Sequence, residues 1–166
     1  MTPATTSIRY GGFVSRLLAF LIDLVLISLI TFLVSAGLGV IASFFGLDTN
    51  GISFVGVDPA QLPPFQRLIA TFSVLFSTFF GLIYFLFFWV LVSFTPGMAL
   101  LGLKIVRCDG RQLGLGRAIV RLIGYWISLI FIGLGFLWIL IDNRRQGWHD
   151  KMAGSCIIYF DRPLVK

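Results

Sequence analysis

Residues 15–36 read "SRLLAFLIDLVLISLITFLVSA", an apolar run with Arg16 at its mouth and Asp23 two helical turns inside. About 20 residues at 1.5 Å each cross the hydrocarbon of a bilayer as a helix. The run continues from about residue 17 to 45, long enough to tilt or to project beyond the membrane. It exceeds a signal-peptide core of roughly 7–15 residues, so a retained first transmembrane helix is expected. A lone carboxylate at that depth costs at least ~2.5–3.5 kcal/mol on insertion scales, so Asp23 should face protein and find a partner, a cation or a proton.

The composition agrees with a membrane protein. Of 166 residues, 58% are apolar and only 12% charged, too little polar surface to wet a soluble domain of this length. All seven acids are Asp, against 13 Lys plus Arg, giving net +6. The basic residues flank apolar runs, a pattern of membrane orientation and anionic-lipid contact rather than nucleic-acid binding. Cys108 and Cys156 are too few for a disulfide framework and have no metal-ligand spacing, so they read as plain small residues and no metal or cofactor is expected.

Outward from the opening stretch, residues 46–66 hold three prolines, three glycines and no Lys or Arg, which reads as a loop outside the cytoplasm. A second span is expected over about 68–93. Ser35, Gly39 and Ser43 in the first span and Ser73, Ser77 and Gly81 in the second form small-residue ridges at four-residue spacing. Such ridges allow close helix packing, although small residues are also simply common in membrane helices. In "TPGMALLGLKIVRCDGRQLGLGR", residues 95–117, the alternation in "LKIVRC" and the turn pair Asp109-Gly110 read as a short cytoplasmic strand and turn.

The third apolar run, 118–141, could cross once or re-enter. A single crossing would strand Arg144, Arg145, Lys151, Arg162 and Lys166 outside while Lys104 to Arg117 stay inside, against the positive-inside bias. Gly133 and Gly135 in "FIGLGF" weaken helix continuity at the midpoint. "SCIIYF", residues 155–160, is the other strand-like segment and would pair with "LKIVRC" only on the same side. The expected fold is thus an all-α integral membrane protein with two full transmembrane helices, a Gly-broken third apolar segment (re-entrant hairpin or third span) and a small cytoplasmic β element.

Three blocks, "GGFVSRLLAFLIDLVLI", "TPGMALLGLKIVRCDGRQ" and "RRQGWHDKMAGSCIIY", resemble the RDD family of small prokaryotic membrane proteins in order and over about residues 11–160. Residues 1–10 and 161–166 would be tails. The family name refers to an arginine and two aspartates, and the matching positions are Arg16, Asp23 and Asp150. Met98 and Ser155 depart from the family's usual residues without touching those three. The resemblance implies a multi-pass protein of a prokaryotic cell (inner) membrane with a cytoplasmic N-terminus, and for some members a sodium/proton antiport role.

Chemistry at these residues has two readings. Burial raises a carboxyl pKa and an adjacent Arg lowers it, so Asp23 could load and release a proton or Na⁺. It could equally form a static ion pair with Arg16, Arg117 or Arg121, and Arg16 could merely snorkel. Arg16 and Asp23 share a helix face, roughly 10 Å apart along the axis. Asp150 is expected to cap a short helix in "HDKMAGS" or to share a vestibule with Asp23, with Trp148 an interfacial anchor and His149 a surface hydrogen-bonder or proton relay. Asp142 is expected to pair with Arg144 and Arg145. The expected function is membrane transport, as a homo-oligomer in the lipid bilayer with a monovalent cation or proton and no nucleic acid. The alternative is an adaptor using a basic face of Lys104, Arg107, Arg111, Arg117, Arg144 and Arg145. No catalytic constellation is evident, so an enzyme is not expected.

Overall fold

The computed structural model describes residues 9–44 and 64–160. The expected outer loop and the expected tail 1–10 fall largely, and the tail 161–166 wholly, outside the described residues. The chain forms two compact units. One is built from the N-terminal segment through Asp23 together with Phe85 onward, and the other from Leu24–Tyr84.

Helix α1 spans Phe13–Phe44 and α2 spans Pro64–Phe87, starting on a proline whose missing N–H is no loss in a first turn. Their apolar stretches Phe13–Ile41 and, with the turn of π-helix that continues α2 over Phe88–Val92, Val74–Val92 are each long enough to cross a membrane. Val25, Phe32, Leu33, Phe79 and Ile83 stand exposed along them, as lipid-facing side chains would. Among the described residues, the ridge glycines Gly39 and Gly81 hold no close neighbour. A methyl group at Gly39 or Gly81 meets nothing within 4 Å, and the Ser35, Ser43 and Ser77 hydroxyls bond back to carbonyls of their own helices.

In the first unit, α2 and its π turn end at Ser93, in a left-handed conformation (φ 68°). Thr95 then caps the short helix α3, Pro96–Leu100, accepting from the Met98 N–H at 3.2 Å with proline at the first helical position. Strand β1, Leu103–Arg107, follows, and β2, Ser155–Tyr159, pairs with it antiparallel with Ile105 opposite Ile157. The N-terminal segment lies along the other side of β2 through Gly11 N–H to Ile157 O at 2.8 Å and a bridge at Tyr10. Leu103, Ile105 and Ile157 point into a core with Ala19, Trp89, Met98, Leu113 and Ala118.

The third apolar run is broken. Helix α4, Leu115–Ile130, and α5, Leu134–Leu137, the latter extended by a 3₁₀ turn to Leu140, bend away from each other by 111°. The break sits at Ile132 and Gly133, both left-handed (φ 52° and 78°). Gly135 has a different role from the break expected of it: a Cβ there would collide with the Ser128 hydroxyl, so it lets α5 close onto α4. Because β1 and β2 are hydrogen-bonded, the chain from 108 to 154 leaves the sheet and returns to it. Helix α6, Trp148–Ala153, packs along α4 before β2.

The cysteines are not plain small residues. Cys108, just past β1, and Cys156 on β2 are joined in a disulfide, because the strand register brings their Cα atoms to 5.3 Å. The Gln146 amide reaches both sulfurs and donates to Ser155 O at 2.8 Å.

Candidate functional site

Asp150 organises the first unit. Its carboxylate is fully buried in the first turn of α6, where it accepts from the Gly147 N–H at 3.0 Å, so the expected cap is present. The same carboxylate also accepts from Arg16 Nη1 at 2.5 Å and from Arg121 Nη1. Arg121, wholly buried on α4, donates from Nη1 to the Ser155 hydroxyl at 2.6 Å and from Nη2 to Tyr125 OH at 3.3 Å. Its guanidinium lies over the rings of Trp89 and Tyr125, at 5.1 and 5.6 Å. Burial would raise the Asp150 carboxyl pKa, but Arg121, His149, Arg16 and the Gly147 N–H outweigh it and hold the carboxyl well below the usual range.

Arg16 does not snorkel. Its three side-chain nitrogens bind Gly11 O at 2.9 Å, Asp150, and Arg145 O at 2.6 Å. Through Asp150, Arg16 attaches the start of α1 to α6. Asp23, also buried, accepts from the Thr95 hydroxyl at 2.5 Å and from the Gly97 N–H at 2.8 Å. The acid of α1 therefore sits on the first turn of α3, where unpaired backbone donors favour negative charge. Gly97 permits the approach: a Cβ there would run into the Ala19 carbonyl and lie 2.9 Å from the Asp23 carboxyl.

His149 is no surface residue. It is 2% exposed, stacked on Tyr125 at 4.2 Å between centroids and tilted against Phe136 at 5.2 Å. Burial, with further repulsion from Arg121 and Arg16 that Asp150 does not offset, pushes its pKa down to about 3, so it is neutral near pH 7. Gly124 of α4 makes room for it, since a Cβ there would lie 2.6 Å from His149 Cα. Trp148 is half-buried against Phe131 and Trp138, beneath the α4–α5 break. Asp142 pairs with Lys151 at 2.6 Å and accepts from the Arg144 and Gln146 backbone N–H groups, in place of the expected arginine side chains.

A cavity of about 440 Å³ opens within this unit. Arg16, Asp23, Thr95, Arg121 and His149 supply its polar wall, and Trp89, Tyr125 and Phe136 an aromatic one. Arg16 and Asp23 thus share the face that their spacing predicts. Sequence reasoning missed Thr95, Ser155 and Gly147, and treated Arg121 as only a supporting residue. The visible signals were the helix-start pattern Thr-Pro-Gly and an arginine in the middle of an apolar helix face. Among the described residues no group of three or more His, Cys, Asp or Glu could hold a metal ion.

The RDD family profile matches residues 10–154, which includes Arg16, Asp23 and Asp150. The chain belongs to the RDD family. Across 150 residues, 90% of this chain and 97% of the relative, it is 26% identical to a Bacillus subtilis (strain 168) protein named "Uncharacterized protein YxaI". No solved structure matches. In this RDD-family chain the arginine and second aspartate are a bonded pair, and the first aspartate borders the same cavity.

Proposed function

We propose that this chain is a multi-pass membrane protein of the transport class that admits a small solute to the cavity, with its charged residues holding the cavity's shape. The supporting observation is that Arg16 and Asp23 line a cavity of about 440 Å³, within the range of roughly 300–1,000 Å³ usual for small-molecule sites. The Na⁺/H⁺ antiport suggested by Asp23 is the less favoured form of this reading. A sodium ion at Asp23 would displace the Thr95 hydroxyl and Gly97 N–H, and one at Asp150 would meet two guanidinium groups. The proposal involves no covalent chemistry.

In a bilayer, α1 and α2 would span and the bent α4–α5 pair would re-enter from the side of the sheet. The N-terminal segment, β1 and β2 share that sheet, and Lys104, Arg107 and Arg111 beside it favour the cytoplasmic side. The open ridges at Gly39 and Gly81 suit a second copy of the chain. A second reading, docking of anionic lipid or a partner on the basic face, draws on the exposure of Arg111, Arg144 and Arg145. Arg107 and Arg117, by contrast, are engaged with Asp109 and with Ala153 O.

Thermal unfolding of the purified protein, with Na⁺, K⁺ or Li⁺ and with small apolar solutes, tests the preferred reading, since a bound ligand raises the unfolding temperature. Stabilisation by an apolar solute is the expected result. Stabilisation specific to one cation and lost in Asp23→Asn would overturn it.

A further inference from the structure

Cys108 and Cys156 are bonded to each other but stand in unlike places. Cys108 is exposed, in the turn that follows β1, where the Gly110 N–H bonds back to Arg107 O at 2.8 Å. Cys156 is 3% exposed, inside β2. One edge of β2 is covered by β1, and the other carries the N-terminal segment at Gly11 and Tyr10. Thiol–disulfide exchange begins with an incoming thiolate at a sulfur it can reach. In this pair that sulfur is Cys108 Sγ, which makes Cys156 Sγ the leaving group.

The leaving sulfur has a donor beside it. The Gln146 side chain is buried, and its amide nitrogen is fixed in place by the Ser155 carbonyl, which can only accept, at 2.8 Å. A primary amide carries two N–H groups. The second is left for the sulfurs, with Nε2 3.1 Å from Cys108 Sγ and 3.5 Å from Cys156 Sγ. Disulfide sulfur is a weak acceptor, so this donor gains little from the oxidised pair. It gains more once a sulfur is charged, because hydrogen bonds to ionised acceptors are about twice as strong as neutral ones. An interaction that strengthens only as the disulfide opens speeds the opening.

We propose that Cys108 and Cys156 form a reversible exchange site for a low-molecular-weight thiol, with Cys108 the modified sulfur, Cys156 the resolving one and Gln146 the donor to the departing thiolate. A small thiolate attacks Cys108 Sγ. The bond between the two cysteines breaks as the mixed disulfide forms, and the electron pair leaves on Cys156 Sγ, where the Gln146 amide donates to it. A second small thiolate attacks the outer sulfur of the mixed disulfide and releases Cys108 as a thiolate. Two small thiols become one small disulfide, and the protein gains two electrons. In reverse, the Cys108 thiolate opens a small disulfide and releases one thiolate, and Cys156 closes on Cys108 Sγ and releases the other.

Reduced and oxidised glutathione, with the full chain in nanodiscs, are the probes. Acid quenching during reduction of the wild type, followed by peptide mass mapping, should find glutathione on Cys108 and not on Cys156, with no substitution needed. Oxidised glutathione should modify Cys156→Ser, whose remaining thiol is exposed, at least about tenfold faster than Cys108→Ser. Gln146→Leu keeps the bulk and removes the donor, so its disulfide should be reduced about two- to tenfold more slowly, the worth of one hydrogen bond. A fold merely loosened by that substitution would react faster instead. Glutathione on Cys156, equal rates for the two single-cysteine variants, or a disulfide that glutathione opens only in denaturant would overturn the site. Reduction of Gln146→Leu at the wild-type rate or above would overturn the amide's part in it.

Discussion

Arg16 and Asp150 lie 134 residues apart in sequence and 2.5 Å apart in space, and their bond fastens the start of α1 to α6. Arg121 completes the cluster from α4, so one carboxylate joins three helices. Removing one member of a buried charge cluster is more damaging than the cluster is stabilising, because the remaining charges lose their compensation. Asp150→Asn, which leaves two buried arginines, is expected to destabilise the protein by about 3–5 kcal/mol. Arg16→Met should cost less, since Arg121 still compensates the aspartate. Chemical denaturation in detergent micelles measures both.

Acid should unfold the protein through His149 first. Its folded pKa is lowered to about 3 from 6.5, so between those values the unfolded chain binds the additional proton. Stability is therefore full above about pH 6.5 and falls on acidification, by at most about 1.4 kcal/mol per pH unit. Asp150, whose carboxyl pKa is lowered, stabilises above its ordinary value and loses that contribution only below about pH 4. Unfolding free energies from pH 7.5 to 4.5 should slope for the wild type and be nearly flat for His149→Phe.

The bond between Thr95 and Asp23 should matter through the hydroxyl alone. Thr95→Ser retains it and is expected to match the wild type closely. Thr95→Val removes both the donor to a buried carboxylate and the acceptor that caps α3, and should destabilise by at least about 1.5–3 kcal/mol, the range for hydrogen bonds to charged groups. Equal stabilities of the two variants would contradict the assignment.

Helix contact leaves a steric signature. Gly124→Ala places a methyl group 2.6 Å from His149 Cα and should destabilise by about 1–3 kcal/mol through overpacking. Gly116→Ala, on the same helix with nothing within 4 Å, is the control and should be neutral or slightly stabilising. Unfolding temperatures of the pair distinguish contact from general intolerance.

The disulfide gives a test of sidedness. If the sheet faces a reducing cytoplasm, Cys108 and Cys156 are thiols in growing cells and bond only on oxidation. Denaturing cells in maleimide without reductant should then label both cysteines, the only two in the chain. Protection until a reductant is added would place the sheet on the oxidising side and reverse the proposed orientation.

How far the sequence could be read follows the range of each interaction. The two long apolar helices, the Asp109-Gly110 turn, the break at Gly133 and the Asp150 cap depend on residues a few positions apart, and each was legible. The strand pairing was legible because two short alternating segments had no other partner in sequence. The bonds of Asp23 to Thr95 and of Asp150 to Arg16 and Arg121 close over 72, 134 and 29 residues, where spacing carries no signal. Several arginines compete for two acids in this chain, and packing rather than pattern decides which acid each takes. The cysteines were misread because two isolated residues 48 apart give no hint of strand register.

Proton movement driven by a Na⁺ gradient in proteoliposomes, wild type against Asp23→Asn at equal folded density, tests the central claim most directly. With Asp23 and Asp150 serving as fixed structural acceptors, neither protein should move protons beyond the rate of empty vesicles under Na⁺, K⁺ or Li⁺. Sodium-dependent proton flux in the wild type that Asp23→Asn abolishes would contradict the account and make Asp23 a coupling site.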